Sequence, residues 1–364
     1  MRKYGRTAAC ATAATLVAAL APARAGHYDH YDGELTTVVD GLDGARGVDT
    51  LGHGKTLITE ADGSFSLVLE RRGKEPAVIE LGSVPGGLAP AIAAGKRGRI
   101  YILTGAGGEP GGPPAPGAST LYEWRHWYDE PLPVLDVAAY QVGDPDPYDL
   151  EGNPTESNPF GLAALKDGSV LIADAAGNDL LRWYPNGDVE KVATLLPRVV
   201  DVPEEIPLPE DQVPSEAVPT SVTVGPDGYW YVGELRGFPA TPGTSQIWRI
   251  KPGTVGATCD PEKPWRGRCT RYADGLTSIM DLGASHRSLY AVSLSKLGWL
   301  AIESEEPVPG AEIGGLYRIS RHRHHVHVKE LAKDQLVLPG GVDVSRKVYV
   351  VGPVFGPGAL SKIH

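Results

Sequence analysis

Residues 158–189 read NPFGLAALKDGSVLIADAAGNDLLRWYPNGDV, and residues 216–243 read EAVPTSVTVGPDGYWYVGELRGFPATPG. In each, an apolar run beginning at Gly161 or Ser221 meets an Asp-Gly turn. It returns as a second apolar run that ends on an acid, Asp174 or Glu234, 13 residues further on. A strand, a tight turn and an antiparallel strand is the simplest unit with this pattern.

The unit recurs along the chain. Its second run appears as TLITE ending at Glu60, IYILT at Thr104, VLIAD at Asp174, WYVGE at Glu234, LYAVS at Ser293 and VYVVG at Gly352. A third run follows each: SFSLVL (64–69), TLYEW (120–124), DLLRW (179–183), QIWRI (246–250), GLYRI (315–319) and ALSKI (359–363). Fourth runs such as VEKVATL (189–195) and VHVKEL (326–331) complete most units. Six four-stranded units around an axis predict an all-β, six-bladed β-propeller. A β-sandwich, the competing all-β fold, gives no reason for sixfold recurrence. The last unit runs out of chain at His364, so ELTTVVD (34–40) is expected to supply its outer strand and close the ring.

The N-terminus has Arg2, Lys3 and Arg6, an uncharged Ala/Leu/Val-rich stretch from Thr7 to Pro22, and Ala23-Arg24-Ala25. That order predicts a signal peptide, residues 1–25, cleaved near Ala25, and a secreted or periplasmic protein, residues 26–364, forming a single propeller domain. The apolar run is shorter than the roughly 20 residues a spanning helix needs, so no membrane insertion is expected. Cleavage removes Arg2, Lys3, Arg6 and Arg24 and no acid, which moves the formal charge from −11 to −15. Such a surface repels nucleic acid and anionic lipid. Cys259 and Cys269 remain, in CDPEKPWRGRC, and are expected to pair in an oxidising compartment.

The two quoted stretches resemble the ScyD/ScyE family of exported proteins, and the repeats more distantly resemble NHL propellers. The resemblance covers nearly all of the mature chain and is weaker in units 1, 2 and 6. It implies a propeller and no established catalytic activity; the family is named for an association with scytonemin pigment biosynthesis.

In a propeller, the turns between second and third strands and the connections between units open on one face. Here those connections are the long ones, including 143–157 and 197–217, apart from the long turn that holds Cys259 and Cys269. Residues 143–157 carry five acids, 201–217 six and 303–312 four, with no Lys or Arg in any of them. An elaborated, acidic face of this kind suits an unknown protein or small-molecule ligand. Glu60, Asp174 and Glu234 share one register at the ends of second strands, and Asn158 lies at the mouth of unit 3. Oxygen donors around a channel mouth suit Ca²⁺. The alternative is that each acid accepts bonds from the backbone of its own turn.

Two functions follow: a non-catalytic binding or interaction module using the loop-rich acidic face, or a Ca²⁺-dependent hydrolase of lactonase or esterase type with a metal at Glu60, Asp174, Glu234 and Asn158. No G-x-S-x-G, H-E-x-x-H or phosphate-cradling glycine loop is present. The run Arg321-His322-Arg323-His324-His325-Val326-His327 falls in an outer hairpin, where alternation splits the imidazoles between two sides of a strand. It reads as an exposed basic turn.

Overall fold

A computed structural model describes residues 33–363 apart from 109–113 and 323–324. The proposed signal peptide lies outside the described residues. Among the described residues no helix is long and apolar enough to cross a membrane.

The first strand, β1 (Leu35–Asp43), belongs to the last blade. Blade 1 is β2 (Val48–Gly52), β3 (Lys55–Thr59), β4 (Ser64–Leu69) and β5 (Ala77–Ser83), and blade 2 is β6 (Ala91–Ala94), β7 (Ile100–Leu103), β8 (Thr120–Trp124) and β9 (Leu132–Asp136). A short helix, α1 (Val137–Val142), leads into blade 3: β10 (Pro159–Ala164), β11 (Val170–Asp174), β12 (Asp179–Trp183) and β13 (Val189–Leu195). A separate hairpin, β14 (Arg198–Asp201) and β15 (Gln212–Ser215), precedes blade 4, formed by β16 (Pro219–Val224), β17 (Trp230–Glu234), β18 (Ser245–Ile250) and, after β19 (Ala257–Cys259), β20 (Cys269–Leu276). Blade 5 is β21 (Ile279–Ala284), β22 (Leu289–Ser293), β23 (Gly315–His322) and β24 (His325–Leu331); blade 6 is β25 (Gly341–Val344), β26 (Val348–Gly352) and β27 (Pro357–Ile363). The expected six-bladed propeller is thus observed, closed by β1 lying antiparallel on β27 from Leu35↔Ile363 to Asp43↔Pro357.

Burial explains the sequence pattern. The second strands β11, β17 and β22 are buried at every position because flanking blades cover both faces, and they run apolar up to a last polar residue, Asp174, Glu234 or Ser293. The outer strands β5 and β24 are largely exposed, and β24 carries polar residues at most positions, whereas β5 exposes Val78 and Ile79. Each buried Val, Leu or Ile contributes about 1.5–3 kcal/mol. The inner strands crowd one another, and small residues sit where they meet. A Cβ on Gly161 would lie 2.6 Å from the Thr220 carbonyl oxygen, and one on Gly341 2.1 Å from that of Arg46.

Cys259 and Cys269 are bonded, as expected. The loop between them does more than the sequence indicates, because β19 pairs parallel with β13 and adds a fifth strand to blade 3. The disulfide therefore ties blade 4 to a strand carried by its neighbour.

Candidate functional site

The long connections interlock on the face where second strands end. Leu150 N donates to Glu216 Oε1 at 2.7 Å, joining 143–157 to 201–217. Asn178 Nδ2 donates to Asp146 at 3.0 Å while its Oδ1 accepts from Val218 N at 2.9 Å. Thr241 Oγ1 reaches the Asp201 carbonyl at 2.6 Å, and Trp299 Nε1 reaches the Arg236 carbonyl at 2.8 Å. The result is a continuous surface rather than separate loops.

This surface leaves Glu151, Glu156, Glu204, Glu205, Glu210, Asp211, Glu305 and Glu306 exposed. Among them stand exposed apolar side chains, including Tyr148 at 46%, Leu150 at 48% and Val199 at 59%. Burial raises the pKa of Glu216 to about 7, with the charges of Glu151 and Asp146 adding to it. Glu151, exposed at its surface but partly desolvated by the interlocked loops, is raised by that desolvation and then by the charges of Glu156 and Asp149.

The four ligands expected for calcium have other duties. Asp174, fully buried, accepts from Ser157 Oγ at 2.6 Å, Asn158 N at 2.7 Å, Gly177 N at 3.2 Å and Gln141 Nε2 at 3.2 Å. Glu234, also fully buried, accepts from Arg236 Nη2, Trp248 Nε1 and Gln246 N. Glu60 accepts from Asp43 N at 2.7 Å, and Asn158 Oδ1 from Ala106 N at 2.9 Å. Among the described residues no group of three or more His, Cys, Asp or Glu is spaced to hold a metal ion. Each of the four thus accepts at least one hydrogen bond from the protein itself.

Beneath the face, one buried arginine links three blades. Arg46, 5% exposed, donates through Nε to the Ala89 carbonyl at 2.6 Å and through Nη1 to the Phe160 carbonyl at 2.8 Å, with its guanidinium 4.0 Å from the Phe160 ring centroid. It thereby bridges blades 1, 2 and 3. Phe160, Met280 and Val354, from blades 3, 5 and 6, belong to one apolar cluster.

Three axial acids escaped the sequence reading: Asp49, Asp281 and Asp343. Each sits on an inner strand and accepts a backbone N–H from the inner strand of the next blade: Asp281 from Val342 (2.9 Å), Asp343 from Thr50 (2.7 Å), Asp49 from Ala94. The repeated triplet Gly-Val-Asp at 47–49 and 341–343 is the signal that would have found two of them. Burial raises Asp49 to about 7, reinforced by the charge of Asp343, to which it is hydrogen-bonded, and burial raises Asp343 as well. Burial likewise lifts Asp281 to about 7, opposed by Arg46.

Comparison with known proteins gives the fold. No family model and no curated protein matches the chain. Solved structures do match: a glucose dehydrogenase at 16% identity and TM-score 0.58, over 91% of this chain and 99% of the other. A PQQ-bound aldose sugar dehydrogenase from Streptomyces coelicolor matches at 13% identity and TM-score 0.54, over 92% and 99%. A putative oxidoreductase (glucose dehydrogenase) from Thermus thermophilus matches at 16% and 0.52, over 91% and 100%. At these identities the likeness extends to the propeller and no further.

Proposed function

We propose that this chain is an exported, non-catalytic β-propeller that binds a cationic partner on its loop-bearing acidic face. One observation carries the reading: the acids at the strand ends and on the axis are consumed by internal donors, whereas those of 143–157, 201–217 and 303–312 include many that are exposed. Apolar residues such as Tyr148, Leu150 and Val199 stand among them and offer anchors beside the charge. The bonded Cys259–Cys269 pair supports an oxidising destination. Membership of the ScyD/ScyE family rests on the two quoted stretches and is part of this proposal. The calcium-dependent hydrolase finds no support in the donor set, because Glu60, Asp174, Glu234 and Asn158 each accept a hydrogen bond from the protein itself.

The test is calorimetric titration of the mature protein with a short peptide of Arg and Leu residues. Binding should weaken with salt and fall about tenfold in the variant Glu204→Gln, Glu205→Gln, Glu210→Gln, Asp211→Asn, since four exposed pairs at a few tenths of a kcal/mol each sum to that factor. Equal affinity in the variant would contradict the reading.

A further inference from the structure

The opposite face, made of the turns between first and second and between third and fourth strands, carries a cavity of about 370 Å³ between blades 4 and 5. Its lining includes Asp227 from the β16–β17 turn, Tyr231 on β17, Arg249 on β18, Tyr272 on β20, Arg287 from the β21–β22 turn and Arg321 on β23. Three guanidinium groups and one carboxylate therefore share one concavity in a chain whose formal charge is −11.

The groups divide into a fixed floor and a free rim. Arg249 donates to Asp227 Oδ2 through Nε at 2.9 Å and Nη2 at 2.8 Å, and its guanidinium stacks 3.2 Å from the Tyr229 ring centroid. Tyr231 OH donates to the same oxygen at 2.9 Å, and the Tyr231 and Tyr272 rings meet edge to face at 4.9 Å. Arg249 is thus neutralised and held. Arg287 and Arg321 are exposed, and among the described residues neither pairs with a carboxylate; Arg321 lies over Tyr272 at 5.8 Å. Two uncompensated arginines over a rigid aromatic floor are the arrangement that planar oxyanions match, because the guanidinium fork donates two parallel N–H bonds to a carboxylate or phosphate. The cavity has the volume of a small-molecule site.

We infer that this cleft binds the carboxylate or phosphate group of a small molecule, with Arg287 and Arg321 as the anion-holding residues and Tyr272 packing against the ligand's body. The site is independent of the acidic face.

The test titrates inorganic phosphate and, separately, citrate into the mature protein by calorimetry. Comparison is with Arg287→Gln/Arg321→Gln and with the four-acid loop variant described above. Saturable, salt-sensitive binding of one or both anions is expected, retained in the loop variant and weakened at least about tenfold in the double arginine variant, whose melting temperature should stay unchanged because both side chains are exposed and unpaired. Phosphate without citrate would assign a phosphoryl ligand, citrate without phosphate a carboxylate. Failure of both to bind the unmodified protein at millimolar concentration, or equal binding by the double variant, would overturn the assignment.

Discussion

Glu234 and Arg236 are two residues apart, yet they meet as a fully buried ion pair because Arg236 adopts a left-handed backbone with φ of 77°. The guanidinium also donates to the carbonyls of Ser215 at 3.2 Å and Glu216 at 3.1 Å. Replacing Arg236 by Met should cost about 3–5 kcal/mol in urea unfolding, since it strands a buried carboxylate. Adding Glu234→Gln should recover part of that loss; no recovery would show that the carbonyl contacts dominate. The axial acids make a different prediction. Asp49 and Asp281 have pKa values raised to about 7, so the native state holds their protons more tightly than the unfolded chain. Their stabilising contribution is complete below about pH 4 and is lost as the pH rises through about 7. Melting temperatures measured from pH 4.5 to 8 should therefore decline less in Asp49→Asn than in the unmodified protein; parallel curves would contradict the raised pKa of Asp49. The sequence showed that Asp174 and Glu234 share a register. It did not show their partners, because a carboxylate's role depends on donors brought from elsewhere, such as Gln141, 33 residues before Asp174.

Strand β1 was legible because the last repeat lacked an outer strand, and it runs slightly past the expected 34–40, to Asp43. Val38 and Leu42 are buried against the last blade. A variant beginning at Gly44 should lose cooperative unfolding, since β27 becomes a bare edge and the first and last blades come apart. A single sharp transition at the original temperature would show that closure lies elsewhere. The disulfide spans a sequence separation of 10, and removing it with Cys259→Ser and Cys269→Ser should cost about 3 kcal/mol by loop entropy. Strand β19, the β14–β15 hairpin and helix α1 were not legible. They lie within long connections rich in Pro and Gly, where pairing is decided by the neighbouring blade rather than by local alternation. Three-residue β19 is a strand only because β13 offers it an edge.

At the scale of the whole molecule, the sixfold recurrence fixed the architecture, and the sorting of long connections onto one side foretold an elaborated face. The acids of 143–157, 201–217 and 303–312 lie on the loop-bearing side, while the turns on the other mix both signs, with Arg71, Arg72 and Arg287 beside Glu75, Asp129 and Asp227. Between the faces Arg46 closes on carbonyls of blades 2 and 3, a bridge the sequence could not disclose because only ring closure brings them near. Hydrogen exchange of the mature protein with and without the Arg- and Leu-containing peptide tests the binding face most directly. The peptide is expected to slow exchange in 143–157 and 201–217 and to leave the blade 4–5 cleft unchanged. Protection confined to the cleft, or none in either loop, would contradict it.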